Sequence, residues 1–229
     1  IRTAIRNLKG KTGQKGASKR HKDVAKYGGK DGVYNPFPKI PKAIKHFKEW
    51  RALKINSKSC LILADMHTPF HEPEAVEAAC EYGAEYGVDT VILNGDTVDF
   101  WAISKWEKDP NERDFKGELK VAKEMFQYIR DMFPKARIIF KEGNHSERWY
   151  SYMMRKAIEV LNVDAFSLKQ LLSLDHFKFQ HVGDKRPIIV NDEFCVIHGH
   201  EFYGAGSSIN PARSYVLKTK MSTISGHLH

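Results

Sequence analysis

Cysteine is scarce in this sequence. Only Cys60, Cys80 and Cys195 occur among 229 residues, odd in number and widely spaced. That excludes a disulfide framework and a thiolate zinc knuckle. Cys60 and Cys195 lie in strand-like apolar runs and Cys80 in a helix-like one. All three are therefore expected as buried thiols in a reducing cytoplasm. No apolar run approaches the ~20 residues that span a bilayer, so no membrane partner is expected. The opening Ile1-Arg2-Thr3 is basic and lacks the apolar segment of a signal peptide. An initiator Met is lacking too, so the chain is expected to be a processed or trimmed form of a longer one.

Acidic residues are scarce at one end. Of 37 Lys and Arg and 28 Asp and Glu, the first 58 residues hold 17 and three. The remainder carries 20 basic and 25 acidic residues. A segment near +14 thus precedes a body near −5, which points to a polyanionic partner. Ile1–Lys30 is rich in Lys, Arg, Gly and Ser and has little apolar periodicity. Such a chain does not offset its own ordering entropy. Residues 1–41 read either as a nucleic-acid-binding arm that neutralises phosphates or as a solvated linker. Residues 42–58 are expected to form an amphipathic helix docked on the body. Ile44, Phe47, Trp50 and Leu53 recur at helical spacing there, opposite a face of Lys42, Lys45, Lys48 and Arg51.

From Ser59 the pattern alternates. Strands are expected at Cys60–Ala64, Thr90–Leu93 and Ala136–Phe140. Helices are expected at Pro73–Tyr86, Gly117–Met132, Glu147–Leu161 and Leu168–Leu172. Then Phe177–Val182, Pro187–Val190 and Phe194–Ile197 read as strands in hairpin succession. A helix at Asn210–Lys218 and a last strand at Ser222–Ser225 follow. No internal repeat is visible. The alternating half favours a parallel or mixed sheet with helix cover, and the later short strands favour a second sheet. Two stacked sheets with helices outside satisfy both halves.

Chemistry-bearing residues recur where apolar runs stop. Asp65 and His67 follow one run, and Asp96 and Asp99 another. Asn144 and His145, His198 and His200, and His227 and His229 follow three more. Each alone is an ordinary turn or surface residue. Five such endings together point to a metal site. Carboxylate, imidazole and amide oxygen suit manganese, iron, nickel or zinc, and no thiolate joins them. One zinc takes about four ligands, so seven or eight candidates point to two ions sharing a carboxylate.

Asp65-x-His67, Gly95-Asp96-x-x-Asp99, Gly143-Asn144-His145, His198 and Gly226-His227-x-His229, in this order, resemble the motifs of the calcineurin-like metallophosphoesterase superfamily. The resemblance covers residues 59–229, about three quarters of the chain. It implies an α/β fold, a four-layer α/β/β/α sandwich of two mixed sheets. It implies one metal on Asp65, His67, Asp96 and His229 and a second on Asp96, Asn144, His198 and His227, with Asp96 as the bridge. Two divalent cations are the implied cofactor, manganese first, with iron, zinc or nickel as alternatives. His145 is implied as the catalytic histidine that stabilises the transition state or protonates the leaving oxygen. Asp99 is the carboxylate expected to orient it. Arg148 is a candidate to grip a substrate phosphate, and equally a surface ion-pair residue. His200 is weighed both as a substrate contact and as a bystander. Trp101, Trp106 and Trp149 read as base-stacking or core residues. Family members continue past the last motif, so sequence beyond His229 is expected.

The implied activity is hydrolysis of a phosphate ester by a hydroxide bridging the metals. Nucleic acid or another phosphodiester is the favoured substrate, because of the basic arm. A phosphomonoesterase acting on nucleotides, small molecules or phosphoproteins is the alternative. Phe100-Trp101 after Asp99, where protein phosphatases carry Arg-Gly, argues against that branch. A non-catalytic nucleic-acid-binding protein is the third reading. Short loops also resemble phage-encoded members.

Overall fold

Thr90–Asn94 is buried at every position, so neither of its faces meets water. Its side chains alternate between two cores, as a period of two requires. Val91 and Leu93 join one apolar cluster and Ile92 another. This strand sets the plan of the molecule. The computed structural model describes residues 51–107, 109–183, 185–202 and 210–228. The arm at 1–41, the greater part of the helix expected at 42–58, and His229 lie outside the described residues.

The first sheet is all parallel and not mixed as expected, because helical crossovers join its strands. Its strands are β2 (Cys60–Leu63), β3 (Thr90–Asn94), β4 (Arg137–Lys141) and β5 (Phe179–Val182), in that spatial order. The second is mixed, in the order β1 (Leu53–Ile55), β6 (Ile188–Val190), β7 (Phe194–Ile197), β8 (Ser222–Ser225). Only β6 and β7 pair antiparallel. Their turn places Asn191 and Asp192 at positive φ, which these two residue types tolerate. The fold is α/β, as expected.

Helices cover the first sheet. They are α1 (Pro73–Glu85), α2 (Phe115–Met132), α3 (Ser146–Lys156) and α4 (Leu168–Leu171). α2 buries Glu118, Ala122, Met125, Phe126 and Ile129, one stripe at helical spacing. Asp114 caps it by accepting from the Gly117 N–H at 2.8 Å. Leu63, Val91, Leu93, Ile138 and Phe140 share a cluster with these helices. Ile92, Ile139 and Val182 of the first sheet share another with Ile55, Ile188, Val190 and Val196 of the second. Ile189, Cys195 and Ile197 point the other way, to Tyr215 of α5 (Pro211–Thr219). Among the described residues no helix is long and apolar enough to cross a membrane. Cys80 and Cys195 are buried, Cys60 is half-buried, and all three are free thiols.

Three further expectations need correction. Leu53 does not continue a helix: Leu53–Ile55 is a strand paired in parallel with Ile188–Val190. Three residues are too few to show a period of their own, and only the distant partner decides. The run Phe177–Val182 does not form a hairpin with Pro187–Val190. β5 pairs with β4, while β6 belongs to the other sheet, so the chain changes sheets between them. The helix expected over Glu147–Leu161 stops at Lys156. Ala157 leaves helical backbone (φ −154°, ψ 48°), and a short 3-10 turn, Ile158–Val160, follows.

Candidate metal centre

Past the last regular pair of β2 and β3, the backbone ladder continues into the loops. The Asp65 N–H donates to Gly95 O at 3.2 Å, His67 N–H to Asp96 O at 2.8 Å, and Asp99 N–H to Thr68 O at 3.0 Å. The two loops that carry Asp65, His67, Asp96 and Asp99 are thereby held side by side. Asp65, His67, Asp96 and His227 all have left-handed backbone, with φ of 55°, 52°, 46° and 71°. Each such residue costs on the order of 1 kcal/mol. Four of them in one place mark a geometry that the surroundings impose, as functional sites do. Two glycines allow the close approach. A Cβ on Gly95 (φ 84°) would strike the His198 ring, and one on Gly143 would strike the Asp96 carboxylate.

Two overlapping groups of side chains offer donor atoms within 4.8 Å of one another, Asp65 with His67 and Asp96, and Asp96 with His198 and His227. Asp96 belongs to both. Asn144 joins the second: its Oδ1 lies 2.9 Å from His198 Nε2. The tautomer of His198 follows from its other nitrogen. Nδ1 lies 2.9 Å from the Asn94 carbonyl oxygen, which can only accept. Nδ1 therefore carries a proton, and Nε2 faces Asp96 Oδ2 (3.2 Å) and Asn144 Oδ1. Nε2 and two oxygens thus converge on one point, which a metal ion or a proton on Nε2 would hold together. Asp65 accepts from the His227 N–H at 2.9 and 3.1 Å, tying the β2 ending to the β8 ending.

Charge at the site is strongly organised. Burial opposes ionisation of Asp96, yet the hydrogen bond and charge of His198 and the backbone N–H of His145 hold its carboxyl down at about 2. Asp99 is held well below the ordinary carboxylate range. Burial opposes this, but contacts from His145 and His67 and the Arg148 charge outweigh it. The Asp99 contact raises His67. Burial lowers His227, and lowers His200 to about 4.

A third group is His67, Asp99 and His145. Asp99 Oδ2 lies 3.0 Å from His67 Nδ1 and 3.1 Å from His145 Nδ1, the latter off the hydrogen-bonding direction. The two rings meet edge-on with centroids 4.5 Å apart. Asp99 thus reaches both histidines, where the sequence reading gave it only His145. Arg148 donates through Nη1 to Asp99 Oδ1 (2.6 Å) and to the Asp99 carbonyl (2.8 Å). Its Nη2 lies 2.9 Å from His145 Nε2. A guanidinium only donates, so His145 Nε2 accepts and the proton of the neutral ring sits on Nδ1, facing Asp99. Arg148 is therefore an ion-pair residue of the site. His200 stands beside the donor groups, with Nε2 3.6 Å from Glu147 and its ring 5.3 Å from that of His198. Trp149 is a core residue, stacked on Phe115 and donating to Phe166 O.

Three residues carry weight here that sequence reasoning did not assign. Asn94 donates through Nδ2 to Ile197 O at 2.8 Å while its carbonyl holds His198. Glu201 accepts from the backbone N–H of His198 (2.7 Å) and of Gly199 (2.6 Å), and pairs with Lys141 Nζ at 2.5 Å. Burial opposes the charge on Glu201, but Lys141 and the two N–H donors hold it below its ordinary value. The available signal was a lysine closing the apolar run Ile138-Ile139-Phe140 and an acid three residues past a ligand-type histidine.

No family model matches the chain. It is similar to the Gene 54 protein of Mycobacterium phage L5, 25% identical over 182 residues, covering 76% of this chain and 69% of the relative. It is likewise similar to the Gene 54 protein of Mycobacterium phage D29, 26% identical over 179 residues with the same shares covered. Neither name states an activity.

Proposed function

We propose that this chain is a dinuclear metal-dependent phosphoesterase of the calcineurin-like type, built as a four-layer α/β/β/α sandwich. The layering is supported by three successive apolar clusters: helices on the first sheet, sheet on sheet, and α5 on the second sheet. The observation that carries the functional reading is the donor set around His198. The Nε2 nitrogen and two oxygens converge at 2.9 and 3.2 Å, with Nδ1 donating on the far side. Metal-ligating histidines have this arrangement, the second nitrogen donating to a carbonyl or carboxylate. The donors are all oxygen and nitrogen, which fits manganese, iron, zinc or nickel, with manganese proposed first.

Asp65, His67 and Asp96 would hold one ion, with His229 as the further ligand of the resemblance. Asp96, Asn144, His198 and His227 would hold the other. Two such cations would neutralise an anionic ester and lower the pKa of a water molecule between them. The chain's own residues do the remainder. Asp96 is shared, so its two oxygens set the separation of the two ligand groups. Asp99 anchors Arg148 and keeps His67 and His145 in place. Arg148 and His145 stand together, so an ester oxygen that displaces their mutual contact would meet a guanidinium and an imidazole at once. His145 would then stabilise charge or deliver a proton to the leaving oxygen.

The substrate proposed first is nucleic acid or another phosphodiester, on the strength of the basic segment at 1–58. A phosphomonoesterase and a non-catalytic nucleic-acid-binding protein are the competitors. The free thiols support a reducing compartment, the cytoplasm. The test compares bis-p-nitrophenyl phosphate with p-nitrophenyl phosphate in Mn²⁺. We expect hydrolysis of the diester, abolished in Asp96→Asn. His145→Ala should lower kcat by roughly 10²–10⁴-fold, the range for a lost acid–base group. Monoester turnover alone would replace the substrate class. Wild-type turnover in both variants would refute the mechanism.

A further inference from the structure

Lys141 and Glu201 form the one Lys or Arg ion pair that is wholly buried among the described residues, with side chains 1% and 0% exposed. Lys141 closes β4 in the first sheet, three residues before Asn144. Glu201 follows β7 of the second sheet, three residues after His198. The pair therefore links the two strand endings that lead to Asn144 and His198, one in each sheet. Both carboxylate oxygens of Glu201 are also spent on the peptide N–H groups of His198 and Gly199. Gly199 sits at φ 129°, and a Cβ there would press on the Tyr215 hydroxyl and on His227. The turn that presents His198 is thus gripped by one buried acid.

Stability is a poor reason to place such a pair in a core. Buried ion pairs are often matched or bettered by apolar residues of similar volume, because desolvation offsets their attraction. A geometric role explains it better. We propose that Lys141 and Glu201 are positioning residues, a buried clamp that sets the inter-sheet gap in which Asn144 and His198 meet one ion. This rests on the metal reading above. Neither residue touches the ion or substrate. Glu201 acts through the backbone of His198, and Lys141 acts by fixing Glu201 to the strand that leads to Asn144.

The test uses Lys141→Met, Glu201→Gln and the charge-free double variant. Mn²⁺ binding is followed by electron paramagnetic resonance titration, and metal-free melting is recorded beside it. We expect each variant to bind the second ion about 10–100-fold more weakly, the usual cost of losing a ligand's supporting partner. We expect the double variant to melt closer to wild type than either single variant, yet to keep the weakened affinity. Wild-type affinity in the double variant would overturn the clamp and leave a purely structural pair. A double variant that does not fold would also overturn it, by making the pair a requirement of the fold. A wild-type protein that takes up no Mn²⁺ would instead overturn the metal reading, and this inference with it.

Discussion

Asp99 Oδ2 is the most shared atom of the site's rim. Two imidazoles approach it at 3.0 and 3.1 Å, while Oδ1 holds Arg148 at 2.6 Å. Replacing Asp99 by Asn keeps the shape but removes the charge that three cationic or donor groups face. We expect Asp99→Asn to lower both Mn²⁺ affinity and kcat by about 10–100-fold, as loss of a ligand's hydrogen-bond partner does. Unchanged values of both would remove Asp99 from the machinery. Much of this was legible in the residues. The spacing of Asp96 and Asp99 and the pair Asn144-His145 were visible as strand endings, and Asp96 does sit in two donor groups. The reach of Asp99 to His67 was not, because it depends on the loops after β2 and β3 lying side by side. Arg148 could be read either way; the structure pairs it with Asp99, a contact that the residues alone did not show.

Single elements show where local signals suffice. Phe194–Ile197 and Ser222–Ser225 were read with the boundaries they have, since a short run of strand-favouring residues flanked by turn residues is a local property. Leu53–Ile55 was not, because three residues carry no periodicity and the strand exists through pairing with β6. Two glycines at element ends allow a controlled comparison. Gly87 follows α1 at φ 61° with nothing near its missing Cβ, a helix C-terminal position. Gly95 follows β3 at φ 84° against the fully buried His198. Gly87→Ala should cost about 1 kcal/mol, the left-handed penalty alone. Gly95→Ala should cost roughly 2–5 kcal/mol, that penalty plus overpacking in a site that cannot yield. Urea unfolding of the two variants measures the difference. Equal costs would mean that the β3 turn is not held against His198.

At the scale of the whole molecule, charge is divided between a basic first segment and a mildly acidic body. If the segment neutralises phosphates, deleting residues 1–41 weakens DNA binding and flattens its salt dependence, by about 0.9 in log–log slope per lost contact. An unchanged slope, read from binding at several salt concentrations, would leave the segment a linker. The body is where long-range order matters most. By itself the sequence determined which residues stand at strand endings and what chemistry they offer, because apolar runs, turn residues and donor types are written locally. Only the tertiary structure decided which strand joins which sheet, and so which endings meet. It sent β5 to the first sheet and β6 to the second, brought Asn94 to Ile197, and closed Lys141 on Glu201. The reason is that a short apolar strand can pair with many others at similar local cost. The choice is made by burying both faces of both sheets at once, and that free energy belongs to no single segment.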